Sequence, residues 1–333
     1  MKVYFNSNYW GKHTREHAGN EIPVNRDFLW ADRLWRIPAV YSCAKGLVVD
    51  LCVKVPSEKI EAFIKRWNID QGISELTLEE HEQLDRENPL EIDFDLEVSI
   101  NGKESRKSRG CAISWIPYDG MREQNEDIQE ELMNYYACDR SFGWRFIRAY
   151  FPWNTVRKPK LKTISFLFKE RPAEYQGEHF VTEDFKEEMR EIEFTHPVSK
   201  QKHKLLLLQC EGNTIPEESL RLREDMYMPD TYKALTYSVI PDLPQREFQI
   251  RDCARGDKPR IKENSTASSG FSSVGIIGGA DGVSAIFIAG KASNDQKKYA
   301  ACSSLYFDPV PKVEWRMVFY VKENEDIYQE IVF

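Results

Sequence analysis

The sequence predicts an α+β fold, built mainly of antiparallel strands in sandwich-like sheets with helices inserted between them. Two observations carry this prediction. Apolar residues recur at every second position in many short stretches, which is the period of a half-buried strand. Asn101–Gly102 follows one such stretch and Asp281–Gly282 interrupts another, and these pairs favour tight hairpin turns. Fewer segments show the spacing of an amphipathic helix.

Length and composition bound the kind of protein. The chain has 333 residues, of which 41% are hydrophobic and 30% charged, as in a typical soluble globular protein. We predict two β-rich domains, with a single domain as the alternative. The N-terminal domain, residues 1–155, contains helical insertions, and the C-terminal domain, residues 156–333, contains a glycine-rich hairpin.

Charge and cysteine content exclude several classes. The formal net charge is −8, which argues against a general binder of nucleic acid or of anionic membranes, because phosphate contacts need a basic face. No stretch has the roughly 20 apolar residues of a membrane-spanning helix. The seven cysteines are odd in number and form no Cys-x-x-Cys pair, which predicts reduced thiols and a cytoplasmic location. No apolar signal-peptide core is present at the N-terminus.

Strands and helices alternate in the N-terminal half. Apolar residues from Leu47 to Val55 share one face, with Asp50 and Lys54 on the other, and Ile92–Ile100 repeats the alternation. Both stretches predict strands. Two helices are predicted between them, one from its apolar spacing and one from a capping box that begins at Thr77.

The next segment predicts a hairpin, a helix and a basic surface. Asn101–Gly102 predicts a turn whose returning strand is Gly110–Trp115. Arg122–Cys138 has the apolar spacing of a helix. Trp144–Lys162 mixes aromatic residues with Arg and Lys. A base-stacking surface would need these residues on one exposed face, but in an acidic chain we expect the aromatic residues to pack and the cations to form a local surface patch.

The C-terminal half is predicted to be mostly β. Thr182 is expected to cap a short helix through Arg190, which would repeat the strand–helix–strand order of the first half. The predicted strands are Ile164–Phe168, Ile192–Phe194, Lys204–Cys210, Leu235–Val239, Phe248–Ile250, Tyr299–Phe307 and Val313–Val321.

The glycine-rich segment Ser273–Lys291 is the most apolar stretch of the chain. Two apolar runs rich in β-branched residues flank Asp281–Gly282, which predicts a buried β-hairpin. An anion-binding loop is the alternative, because glycine-rich turns expose backbone N–H groups. The spacings GxGxxG and GxxxxGK[ST] are both absent from this segment, so we predict the hairpin and no bound cofactor.

The string GIIGGADG, followed by AIFIA, resembles the ion-binding motif of the β subunit of sodium-translocating decarboxylases. The resemblance implies that Asp281 matches the motif's aspartate, which the family places within the membrane near the sodium path. The family usually has Pro and Thr after the ADG, where this chain has Val283 and Ser284. The match covers about one-twentieth of the chain and comes without the family's membrane helices. From about Glu191 on, the chain also resembles soluble bacterial proteins that carry the same string and supply no activity.

Besides the ion-motif match at Asp281, the weak metal candidates are His13, Glu16 and His17. His13, Glu16 and His17 fit the H-x-x-E-H pattern of zinc proteases, in which two histidines on one helix face bind zinc and the glutamate is the general base. Gly11 and Gly19 flank the segment, so we predict a loop and no metal. His196 and His203 lie on either side of a predicted turn and are expected to meet across a hairpin.

Three functions follow as hypotheses. The favoured one is a non-enzymatic binding or protein-interaction module with a protein or small-molecule partner. The second is a metal-dependent hydrolase that uses the HTREH segment. The third is an accessory protein related to the sodium-translocating decarboxylases by the GGADG motif alone.

Overall fold

A computed structural model describes residues 1–5, 7–10, 17–69, 76–106, 109–118, 126–155, 157–186, 188–216, 226–261 and 297–333. The chain forms two compact units. Unit 1 comprises Met1–Arg171 together with Lys322–Phe333, and unit 2 comprises Pro172–Val321. The domain boundary between residues 155 and 156 stays a prediction.

The described residues form three helices and eighteen strands. The first segment of unit 1, Met1–Arg171, contains β1 (Asn20–Trp30), β2 (Arg33–Ser42), β3 (Gly46–Val55), α1 (Ser57–Trp67), α2 (Leu78–Glu87), β4 (Phe94–Ile100), β5 (Lys103–Ser105), β6 (Arg109–Trp115), α3 (Glu126–Tyr135), β7 (Gly143–Pro152) and β8 (Thr163–Glu170). Unit 2 contains β9 (Ala173–Glu183), β10 (Arg190–Thr195), β11 (Lys202–Thr214), β12 (Met226–Tyr227), β13 (Thr231–Ile240), β14 (Phe248–Asp252), β15 (Arg260–Ile261), β16 (Tyr299–Cys302) and β17 (Lys312–Val321), and β18 (Ile327–Val332) returns to unit 1.

Every strand pairing among the described residues is antiparallel. The sheets of unit 1 have the orders β1-β2-β3-β7-β6 and β18-β8-β4-β5. Those of unit 2 have the orders β10-β11-β13-β16 and β14-β17-β9, with β12 and β15 as a separate pair. The structure therefore confirms a mainly antiparallel β fold with inserted helices. None of the three described helices is long and apolar enough to cross a membrane.

The two large sheets of unit 1 share one core. Trp35 of β2 lies with its ring centroid 5.0 Å from Phe94 of β4 and 5.6 Å from Phe168 of β8. Trp30 completes the aromatic group at 5.2 Å from Trp35, and its indole Nε1 donates to the Glu325 carbonyl at 2.8 Å. Rings of this size bury large apolar areas, and edge-to-face contacts add to that burial.

The sheet of β3 is covered on both faces. Its second face packs against α3 through Leu132 and Met133, and against the N-terminal residues through Val3 and Phe5. Consequently β3 is buried along its whole length apart from Lys54, which is half-buried. The alternation in the sequence identified the strand, but the face that carries Asp50 is a second core.

Two local predictions are corrected by long-range pairing. Asn101 and Gly102 do form a turn with positive φ, but the returning strand is β5, and β6 pairs with β7. The main partner of β4 is β8. Thr182 caps no helix: it is buried in β9, where its hydroxyl accepts a hydrogen bond from Trp315 Nε1 at 2.8 Å.

Unit 2 also has two sheets on one core. Phe194 of β10 stacks on Phe248 of β14 with ring centroids 5.4 Å apart, and Tyr237 of β13 meets the same ring edge-on at 6.2 Å. These contacts join strands of different sheets. Within the described part of unit 2 the connections between strands contain no helix.

Candidate binding cleft

The weak metal candidates from the sequence are only partly covered by the structure. His13 and Glu16 lie outside the described residues, and so does the whole of Ser273–Lys291 with Asp281. His17 is exposed, three residues before β1 begins. The zinc-protease pattern, the hairpin and the ion-motif match therefore stay predictions.

His196 and His203 meet across the β10–β11 hairpin, as expected, with ring centroids 6.5 Å apart. His196 Nδ1 accepts hydrogen bonds from the backbone N–H groups of Val198 and Ser199, at 3.2 and 3.1 Å. His203 is buried, and its Nδ1 lies 2.9 Å from the Pro241 carbonyl oxygen. Burial, followed by the charge of His203, lowers the pKa of His196. One nitrogen of each ring is thus hydrogen-bonded to the backbone. Among the described residues, no third metal-ligating side chain lies beside the two histidines.

A buried charge pair lies on the second face of the β3 sheet. Arg148 of β7 donates from Nε to Asp50 Oδ1 and from Nη2 to Asp50 Oδ2, both at 2.7 Å. Burial alone opposes the charge on Arg148, but the adjacent carboxylate holds the pKa of the guanidinium above its ordinary value. A bidentate contact of this kind is the strongest form of hydrogen-bonded ion pair.

Tyrosines surround this charge pair. Tyr136, just beyond α3, donates its hydroxyl proton to Asp50, so Tyr41 donates in turn to the Tyr136 oxygen at 3.0 Å. Burial first, and then the charge of Asp50, raises the pKa of both phenols, which keeps them protonated. The Tyr9 ring covers the Arg148 guanidinium at 4.4 Å. The network is enclosed by protein, so it serves to hold α3 and the N-terminal residues on the sheet.

A cleft opens elsewhere in unit 1, between the β4–β5 hairpin and a wall formed by residues 153–155 and Pro159. Its volume is about 220 Å³. Apolar walls are contributed by Ile100, Trp153 and Pro159, and polar ones by Lys103, Asn154 and Thr155 among others. A concave site with an aromatic wall and a few polar groups is the usual form of a ligand site.

Hydrogen bonds fix the walls of the cleft. The Asn101 side chain donates to the Lys160 carbonyl at 2.8 Å and accepts from the backbone N–H groups of Lys162 and Thr163, at 2.8 and 3.1 Å. Trp153 donates from its indole Nε1 to the Cys43 carbonyl at 3.1 Å and packs against the main core of unit 1. The indole position is therefore set before any ligand arrives.

The segments that line the cleft are strongly basic. Residues 101–106, 153–155 and 157–162 carry six exposed cations and one carboxylate, that of Glu104. One of these cations, Lys158, donates from Nζ to the Ser42 carbonyl at 2.7 Å. Among the described residues none of these cations is paired with a carboxylate. We call them the cation rim: Lys103, Arg106, Arg157, Lys158, Lys160 and Lys162.

In comparisons with known proteins, the chain matches no protein-family model, no curated protein and no solved structure. The function has to be argued from the residues of the cleft.

The sequence contained part of this site. The mixture of aromatic residues and cations in Trp144–Lys162 predicted packed rings beside a surface patch, and the exposed cations after Trp153 agree with it. Arg148 departs from the prediction because it is buried against Asp50. The cleft itself was missed, because its other wall comes from the β4–β5 hairpin about 50 residues earlier, and no local pattern signals that contact.

Proposed function

We propose that the protein is a non-enzymatic binding module, and that the cleft of unit 1 takes a small organic anion with a flat apolar part. The observation that carries the proposal is the cation rim, six exposed positive side chains of which Lys103 lines the cleft and the other five lie within three residues of a lining residue in the sequence. The ligand is expected to place its ring against Trp153 and its anionic group toward the rim.

The charge distribution supports an anionic ligand. The chain as a whole has a net charge of −8, and several exposed cations elsewhere are paired with carboxylates, among them Lys169, Arg171 and Lys204. The rim instead concentrates cations that form no ion pair within the described residues. A cleft lined by one sign of charge raises the local concentration of oppositely charged ligands and speeds their association.

The size and the walls of the cleft support the flat apolar part. A dry cavity of about 150 Å³ holds a benzene molecule, so about 220 Å³ accommodates one aromatic ring with a substituent. Trp153 is the aromatic residue among those that line the cleft, and stacked aromatic pairs contribute about 0.5–1.5 kcal/mol beyond area burial.

The test is a titration of the purified protein with phenyl phosphate, benzoate and neutral benzyl alcohol, followed by NMR. We expect the two anions to shift the Trp153 indole signal and to bind more weakly as salt is added, while benzyl alcohol binds poorly. The change Lys103→Glu with Lys160→Glu should weaken binding about tenfold, because an exposed ion pair contributes up to about 1 kcal/mol and reversal adds repulsion. Trp153→Phe identifies the indole signal.

A matched control separates the rim from total charge. Lys59 and Lys65 are exposed on α1, and Lys59→Glu with Lys65→Glu changes the net charge by the same amount. These changes should leave the affinity unaltered. Equal binding of benzyl alcohol and phenyl phosphate, or equal losses in both charge-reversed variants, would show that the cleft is not an anion site.

The proposal also includes a sandwich arrangement of the sheets and a cytoplasmic location. A sandwich arrangement of each pair of sheets is supported by the aromatic contacts between them, and a cytoplasmic location by seven free cysteines. The hydrolase and decarboxylase-accessory alternatives depend on His13, Glu16 and Asp281. They stay predictions, because those residues lie outside the described part of the chain.

A further inference from the structure

Three side chains with metal-ligating groups come together on one face of the β14-β17-β9 sheet in unit 2. Glu314 of β17 is in register with Val181 of β9, so His179 is its diagonal neighbour on the same face. Cys253 directly follows β14, and its backbone N–H donates to the Glu314 carbonyl at 3.0 Å. In the sequence, Cys253 and Glu314 are 74 and 135 positions from His179. No local spacing therefore signals this group.

The distances between the three groups are those of ligands that share one ion. Cys253 Sγ lies 3.8 Å from His179 Nδ1, and Glu314 Oε1 lies 3.2 Å from the same nitrogen. Zinc binds sulfur at about 2.3 Å and nitrogen or oxygen at about 2.0–2.2 Å, with its ligands in a tetrahedron. Two ligands of one zinc ion are then about 3.6 Å apart when one is sulfur, and about 3.4 Å apart when they are nitrogen and oxygen. Both observed distances agree with these values to within about 0.2 Å.

Hydrogen bonds on the neighbouring residue fix the position of Cys253. Asp252 is buried, and its carboxylate accepts from the backbone N–H groups of Ala254 and Ser304, at 2.9 and 2.8 Å, and from the Tyr306 hydroxyl at 3.2 Å. The Cys253 side chain itself is only partly buried. A backbone that is already ordered lowers the entropic cost of binding an ion at this position.

The group is accessible, and its donor atoms select the kind of ion. The side chains of His179 and Glu314 are 36% and 57% exposed. Because the Glu314 side chain is long and exposed, its carboxylate can turn toward the sulfur, so that one ion contacts all three groups. A thiolate with an imidazole suits zinc, whereas magnesium and calcium prefer oxygen ligands. Three protein ligands leave the fourth position of a zinc ion to water.

We propose that His179, Cys253 and Glu314 bind one zinc ion on unit 2. The ligand atoms are His179 Nδ1, Cys253 Sγ and one carboxylate oxygen of Glu314. The Cys253 thiol releases its proton to solvent when it binds, and the His179 ring carries its proton on Nε2. The ion thus takes the place of a proton between the imidazole nitrogen and the carboxylate.

The experiment removes metal from the purified full-length protein with a chelator and then adds an equal amount of cobalt, which substitutes for zinc and is coloured. The expected result is one bound equivalent of cobalt with a thiolate-to-cobalt charge-transfer band, which zinc abolishes by displacement. This measurement needs no variant, so it does not depend on the folding of a mutant. Cobalt that binds without the charge-transfer band, or protein that binds neither metal, would overturn the proposal.

Variants assign the ligands, with circular dichroism as the check on folding. Cys253→Ala should abolish the band, and both Cys253→Ala and His179→Ala should weaken zinc binding by at least about 100-fold, because even a group that only supports a ligand contributes about 10–100-fold. Glu314→Gln should keep the band and weaken binding about tenfold, since a neutral amide oxygen replaces a carboxylate. Cys302→Ala and His81→Ala are the matched controls, a partly buried cysteine and an exposed histidine, and should bind as wild type. A band that survives in Cys253→Ala, or equal losses in the control variants, would contradict the site.

Discussion

Two buried charged residues determine which substitutions are compatible with the second face of the β3 sheet. Asp50 and Arg148 are both almost fully buried, with side-chain exposures of 1% and 4%. Charges are stable at such a site only when their hydrogen bonds are made. Asp50 receives two bonds from Arg148 and one from Tyr136, so neither of its oxygens is left without a donor.

We expect Arg148→Met to destabilise unit 1 by about 3–5 kcal/mol, because it leaves the Asp50 carboxylate buried without its partner. The double change Asp50→Leu with Arg148→Met should recover most of that loss, since no uncompensated charge remains. Urea denaturation followed by circular dichroism measures both.

An exposed pair is the reference for that experiment. Arg171 bonds Asp95 at 2.8 Å with about half of its side chain exposed, and Arg171→Met should cost less than about 1 kcal/mol. Similar costs for Arg148→Met and Arg171→Met would show that burial does not govern the pair.

Contacts between side chains that lie far apart in the sequence could not be predicted from the sequence. The alternation in Leu47–Val55 correctly predicts a strand, yet nothing local says that α3 and the N-terminus cover its other face. The Asp50–Arg148 and Asp50–Tyr136 contacts each join positions more than 80 residues apart. A sequence alone constrains such pairs only once the sheet order is known.

At the scale of elements, the turn after β4 shows what a short motif can specify. Asn101 and Gly102 have φ of 50° and 77°, as a tight hairpin turn requires. The motif sets the turn but leaves the returning strand to long-range pairing, and that strand is only three residues long. The Asn101 side chain also holds one wall of the cleft, so the turn and the cleft depend on each other.

Gly102→Ala isolates the backbone contribution of this turn. An added Cβ would have no atom within 4 Å, so the expected loss of about 1–2 kcal/mol comes from the left-handed conformation alone. Gly212 in β11 is the control, because its Cβ site is equally open and its φ is not positive. Gly212→Ala should be neutral or slightly stabilising. Thermal unfolding of both variants tests this, and equal effects would contradict it.

At the scale of the whole molecule, unit 1 is discontinuous in sequence. β18 pairs with β8 from Ile327↔Phe168 to Val332↔Thr163, and Glu170 accepts hydrogen bonds from the backbone N–H groups of Glu323 and Asn324, at 2.8 and 2.6 Å. The two-domain prediction from length took no account of a returning strand, because a six-residue alternation carries no information about its partner.

Removal of Lys322–Phe333 should therefore loosen unit 1 selectively. Hydrogen exchange read by mass spectrometry should rise in β8 and around Trp30, which loses the Glu325 carbonyl, and stay unchanged in β11 and β13. A synthetic peptide of residues 322–333 added in excess should restore the protection. Unchanged exchange in β8 after truncation would show that β18 does not support the sheet.

Because β18 is near the end of the chain, the sheet that contains β8 is completed late in synthesis. β8 leaves the ribosome early, but its neighbour β18 comes only after all of unit 2. At about 5–20 residues per second, the stretch between Glu170 and Ile327 takes roughly 8–30 s to make. Throughout that interval the outer edge of β8 lacks its native partner, and such an edge invites pairing with another chain. The edge of β8 in a nascent chain is therefore accessible to chaperones, and to other nascent chains on the same mRNA, while the second half of the chain is being translated.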